Sequence, residues 1–131
     1  MVGRLVRLLT GPTIDHYLCF MLLPFAERAY IDDQKLVGYC LSETHLNGKH
    51  KARVFKSALG LTATDYLFLK EAIATAVLLN EARPAGVNQQ GELYSVDFLM
   101  THHHQSANIR TAWIVLFGES FPRLVSCYVK L

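Results

Sequence analysis

Between His45 and Gly60 the chain reads HLNGKHKARVFKSALG, a segment with four formal cations, two histidines and no carboxylate. Cations gathered in this way suit a polyanion, because each can contact a phosphate oxygen, and histidine suits proton transfer because it titrates near neutral pH. Projected at 100° per residue, Lys49, Arg53 and Lys56 share one line, and Ala52, Phe55 and Leu59 share another. His50 and Ser57 flank the basic line. That line is also what a solvated helix face looks like. Lys51 is different, because it falls near the edge of the apolar face, where an amine needs a partner.

A second set of residues belongs to IRTAWIVLF. By strand alternation Arg110 shares a face with Ala112, Ile114 and Leu116, while Thr111 shares the other with Ile109, Trp113, Val115 and Phe117. An arginine among Ile and Leu calls for an anion. Two are available to it: Asp97 on the neighbouring strand, or a phosphate in a cleft, held bidentately. Ser126, Tyr128 and Lys130 share one face of the last strand and could line the same cleft. The run His102-His103-His104 is not expected to bind metal, because consecutive residues do not converge on one ion and a hairpin presents two of them at most. No H-E-x-x-H, P-loop, G-x-S-x-G or G-x-G-x-x-G motif is present, and Asp97 stands alone on its strand. Zinc proteolysis, phosphate-loop nucleotide chemistry, serine hydrolysis and two-metal catalysis are therefore poorly supported.

The elements that must position these residues are readable from period and punctuation. Asp32 is a helix N-cap, and Leu36, Val37, Cys40 and Leu41 give an amphipathic helix over 33–41. Asn47-Gly48 marks a turn, and a second helix spans 49–59, closed by Gly60. Thr62 and Asp65 start a third over 63–81, with Leu69, Ile73, Val77 and Leu78 as its buried stripe and Pro84 and Gly86 as its stop. Then the period changes to two. ELYSVDFLM, IRTAWIVLF and PRLVSCYV read as strands, with THHHQSAN as a polar hairpin loop and GES as a tight turn. The prediction is an α+β fold: two to three N-terminal helices packed on one face of a three- to four-stranded antiparallel meander sheet.

The 131 residues fit a single domain with enough apolar content for a core. Cys19, Cys40 and Cys127 form no C-x-x-C pair, which argues against a zinc site and for reduced thiols in a cytoplasmic protein, at least two of them buried. No stretch reaches the length of about 18 apolar residues expected of a membrane span. Residues 1–20 read as an N-terminal extension, either an appended helix or a mis-placed start before Met21, and 21–131 as a single α+β domain. Exposed apolar residues over Tyr17–Phe25 would support a homodimer or partner contacts.

The segments AERAYIDDQKLVGYCL, HLNGKHKARVFKSALG, YSVDF, IRTAWIV and FPRLVSCYV together resemble a family of small bacterial proteins of unknown function, over residues 24–129. Members of that family look like stand-alone proteins of small operons or C-terminal tips of large secreted proteins, contexts typical of toxins. At the level of fold the arrangement is similar to the barnase–EndoU–colicin–RelE group of metal-independent RNases, although no Glu general base is evident. The resemblance implies a toxin-like endoribonuclease without cofactor, with RNA and a cognate antitoxin or immunity protein as partners. His45 or His50 would move protons, Lys51 and Arg110 would stabilise the transition state, and Thr111 or Tyr128 would position a phosphate oxygen. Lys49, Arg53 and Lys56 would hold flanking RNA. The alternatives are a non-catalytic module that binds nucleic acid or an acidic partner protein through the same basic face, and an immunity- or antitoxin-type interaction protein.

Overall fold

A computed structural model describes residues 4–9 and 17–131, with side chains from Met21 onward. The elements run β1 (Arg4–Leu9), β2 (Tyr17–Leu22), α1 (Asp33–Lys35, continued by a π-turn over Leu36–Cys40), α2 (Lys49–Leu59), α3 (Tyr66–Leu79), β3 (Ala82–Val87), β4 (Gly91–His102), β5 (Gln105–Leu116) and β6 (Arg123–Val129). Strands β3-β4-β5-β6 form an antiparallel meander, with α2 packed across β5 and β6 and α3 across β4. This is the expected α+β arrangement.

Capping explains the helix starts. Asp32 accepts the Gln34 N–H at 3.0 Å, and Asp65 accepts the Thr62 N–H at 2.9 Å. Gly60 ends α2 with φ 67°, its N–H on the Lys56 carbonyl and the Leu61 N–H on that of Phe55. Ala52, Phe55 and Leu59 are buried as the helical phasing predicts. On α3 the stripe is Leu69, Ile73, Ala76 and Val77; Leu78, expected inside, is 44% exposed. From the sheet, Tyr94, Val96, Phe98, Ile109, Thr111, Trp113, Cys127 and Val129 complete the core.

Several expectations are corrected. Pro84 and Gly86 do not merely stop α3: they lie within β3, an edge strand, where a missing N–H is tolerated and a register shift between Pro84 and Gly86 absorbs the irregularity. The polar loop THHHQSAN is mostly strand. Only His103 and His104 turn, both with positive φ (50° and 61°), as a two-residue hairpin requires. Residues 4–9 and 17–22 are extended and pair antiparallel, so the appended-helix reading of 1–20 fails. Leu22, Leu23 and Pro24 are buried, which leaves Phe25 as the exposed apolar residue from 22 to 25; the side chains of Tyr17–Phe20 lie outside the described residues.

Thr111 is fully buried; its hydroxyl donates to the Val96 carbonyl and accepts the Trp113 Nε1–H, each at 2.8 Å. It is a core residue, and the expected role in positioning phosphate is withdrawn. Replacing it with valine would leave the indole N–H unpaired in the core. We expect Thr111→Val to lower unfolding free energy by about 1–3 kcal/mol, measured by urea denaturation.

Candidate functional site

Strand β6 is an edge of the sheet, and its outward groups need partners. Tyr30 takes two of them: its N–H donates to the Pro122 carbonyl and its carbonyl accepts the Leu124 N–H. Farther along, the Cys127 N–H donates to Cys40 Sγ at 3.4 Å. The π-turn ending at Cys40 is thereby held against β6. Within β6 a bulge intervenes: Trp113 pairs with Leu124 and Ala112 with Ser126, so Val125 has no opposite residue. Leu124, Ser126 and Cys127 are all buried, and Val125 is exposed.

Lys51 meets Ser126 there. Its Nζ donates to Ser126 Oγ at 3.1 Å and to the Tyr39 hydroxyl at 3.4 Å, and lies 5.3 Å from the Tyr39 ring centroid and 5.1 Å from that of Tyr128. Two ring faces and two hydroxyls hold the ammonium in a half-buried position. No carboxylate among the described residues pairs with it. Gly48 makes the arrangement feasible, because a Cβ there would lie 2.3 Å from the Tyr39 carbonyl oxygen.

Cys40 and Cys127 are both fully buried and reduced. Hydrogen bonding from the Cys127 thiol is the main influence that brings the Cys40 thiol down to about 7, against the effect of burial; the Cys127 N–H, the Lys51 charge and the Ser126 hydroxyl also lower it. The Cys127 thiol is pushed up by its bond to Cys40 and by burial. This pair was not expected from the sequence, where the two lie far apart. The only signal is that each occurs in an apolar strip.

Arg110 takes the first of its two expected anions. Its Nε and Nη2 donate to the two oxygens of Asp97, each at 2.8 Å, and Lys130 adds a contact at 3.3 Å. The register sets Asp97, Arg110 and Tyr128 in one row across β4, β5 and β6. Tyr128 touches both Arg110 and Lys51, so the two cations are neighbours of one phenol, but Arg110 is already neutralised. The cleft-pointing, phosphate-binding alternative for Arg110 gives way to this pair.

His45 stacks edge-on against Tyr39 with centroids 4.9 Å apart, and its Nδ1 accepts the N–H groups of Asn47 and Gly48, each at 3.0 Å. That commits its Nδ1 to the backbone and makes His45 the brace of the turn before α2. His50 is exposed on α2, away from the core. Lys49 is half-buried, Arg53 is exposed, and Lys56 makes an exposed pair with Glu43 at 3.6 Å. His102 bonds the Leu59 carbonyl at 2.6 Å and stacks on Phe68, tying the hairpin to the end of α2. Among the described residues no three His, Cys, Asp or Glu side chains gather, and no helix is long and apolar enough to cross a membrane.

Residues 22–131 match the family model of a domain of unknown function (DUF6883), and the chain belongs to that family. The match starts within β2 and takes in α1 through β6, including every residue of the Lys51 cluster. No curated protein matches the chain.

The Arg110 bond, chiefly, holds the Asp97 carboxyl below its ordinary value, with Lys130 assisting. A carboxylate with a lowered folded value stabilises the fold above the unfolded value of about 4, and that contribution is lost as pH falls through the folded value. Asp97→Asn should therefore lower the urea midpoint at neutral pH, and the gap to the parent should close as pH falls through the lowered folded value.

Proposed function

We propose that this domain binds RNA through the phosphodiester backbone, with Lys51 meeting a phosphate and the α2 cations holding the flanking strand. One observation carries the reading. Lys51 is a half-buried ammonium that hydroxyls and rings hold in place, and no carboxylate among the described residues neutralises it. A charge held in this way interacts with an incoming anion more strongly than a solvated lysine does, because its geometry is preset and water is partly excluded. Lys49 and Arg53 lie on the same helix without ion-pair partners among the described residues, and extend the positive surface. Lys51→Gln should weaken binding of a short fluorescent RNA by about tenfold or more, the equivalent of one charge-assisted bond, and flatten the log–log salt slope by about 1. Arg83→Gln, on the opposite edge strand, should change neither. If Lys51→Gln binds as the parent does, measured by fluorescence anisotropy, the assignment fails.

A second reading adds turnover: a toxin-like, metal-independent endoribonuclease of a bacterial toxin–antitoxin or secreted-toxin system, neutralised by a cognate antitoxin or immunity protein. What favours it is the chemistry around Lys51. The Tyr39 hydroxyl at 3.4 Å is a proton carrier beside a cation, and the Lys51 charge would stabilise a pentacovalent phosphate. With His45 braced at Nδ1, Tyr39 and His50 are the proton-transfer groups of this reading. On this reading RNA is cleaved in EDTA, Lys51→Gln and Tyr39→Phe each lower the rate about a hundredfold, and Thr111→Ser leaves it near the parent value. Tight binding with intact RNA after prolonged incubation would leave the binding module alone.

A further inference from the structure

The geometry points to a redox-active dithiol between the π-turn and the edge strand: Cys40 as the attacking thiol and Cys127 as the resolving thiol, with a small peroxide as oxidant. Neither residue is needed for the RNA reading, and the inference stands or falls independently of it.

Three features of the fold carry it. The two thiols come from segments 87 residues apart in sequence and meet in the core, where the Cys127 backbone N–H donates to Cys40 Sγ. The sulfur of Cys40 occupies a site built for negative charge, with the Cys127 N–H at 3.4 Å and with the Ser126 hydroxyl and the Lys51 ammonium also acting on it. A thiolate in such a site is the reactive form of cysteine. Finally, Cys40 ends a π-turn closed by the Leu41 N–H on the Leu36 carbonyl at 2.8 Å, and the segment that follows it, Ser42–Asn47, is half-buried or exposed. π-Turns are rare and recur at functional sites. The proposed reaction requires local opening there, to admit an oxidant of peroxide size to a sulfur that is otherwise covered.

The step balances without any further reactant. The Cys40 thiolate attacks one peroxide oxygen, the O–O bond breaks, and the departing hydroxide takes a proton to become water, leaving Cys40 as a sulfenic acid. The Cys127 sulfur then attacks the Cys40 sulfur. The S–S bond forms, the S–O bond breaks, and the hydroxyl leaves as a second water with the Cys127 proton. Two thiols lose two electrons, and one peroxide gains them. The product staples the π-turn, and with it Tyr39, to β6.

Trypsin separates the three cysteines into peptides 8–28 (Cys19), 36–49 (Cys40) and 124–130 (Cys127), so the native chain is its own control. After brief treatment with hydrogen peroxide and blocking of the remaining thiols, the intact chain should be about 2 Da lighter before alkylation. A non-reducing map should show 36–49 joined to 124–130, with 8–28 alkylated, and dithiothreitol should reverse the link. The folded oxidised chain should also melt at higher temperature than the reduced one, since the cross-link closes a long loop in the unfolded state. The same treatment in concentrated urea should lose the selectivity, because only the fold brings the sulfurs together. An unchanged mass, gains in steps of about 16 Da with the two peptides still separate, or a link that involves peptide 8–28 would each overturn the assignment.

Discussion

The structure hangs on the outer edge of β6. A strand at the end of a sheet presents N–H and C=O groups with no ladder partner, and leaving them bare invites pairing with other chains. Here two separate pieces of the N-terminal half supply the partners. The backbone of Tyr30 bridges to Pro122 and Leu124, and the sulfur of Cys40 accepts the Cys127 N–H. Those two anchors, ten residues apart, fix where α1 and its π-turn lie. The turn in turn fixes Tyr39, and the close approach of Gly48 to the Tyr39 carbonyl fixes the start of α2. Lys51, in the first turn of that helix, is carried over the edge onto Ser126. Each step is a local contact, but the chain of steps begins with the need to cover one strand.

The same edge explains why two lysine- and arginine-based candidates have different fates. Arg110 lies mid-strand, opposite Asp97 on one side and Tyr128 on the other, so the ladder itself delivers a carboxylate to it. Lys51 comes from a helix and reaches β6, a strand whose own residues include no carboxylate. Its neighbours are hydroxyls and rings, which hold a cation in place and leave its charge available. The bulge at Val125 sharpens the difference. Around it Leu124, Ser126 and Cys127 are all buried, so one strand supplies a buried thiol and an adjacent hydroxyl to the same small region.

The helices were legible in the sequence because their signals are local. Ala52, Phe55 and Leu59 repeat with helical period, and Gly60 follows them; α2 spans Lys49–Leu59 as expected. Strands β4, β5 and β6 were legible by alternation, but their ends were not. His103-His104 carries no Asn-Gly signal, so the tightness of that hairpin was hidden, and residues 105–108 passed for loop. Strand β3 was missed because Pro84 and Gly86 are strong breakers in isolation. On an edge strand with a register shift they cost little. At the site, the odd placement of Lys51 was visible from phasing alone, whereas the brace formed by His45 Nδ1 required the actual path of the Asn47-Gly48 turn.

What the amino-acid order determined by itself was which faces are apolar, where helices give way to strands, and that Lys51 departs from the basic line of Lys49, Arg53 and Lys56. Period and side-chain chemistry suffice for that, since neither depends on distant residues. What only the tertiary structure decided was partnership: Arg110 with Asp97, Thr111 with Trp113, Cys40 with Cys127, and Lys51 with Tyr39, Ser126 and Tyr128. These pairings follow from strand register, from a one-residue bulge and from how a helix crosses a sheet edge. A shift of one residue in register would exchange every partner while leaving the sequence pattern unaltered.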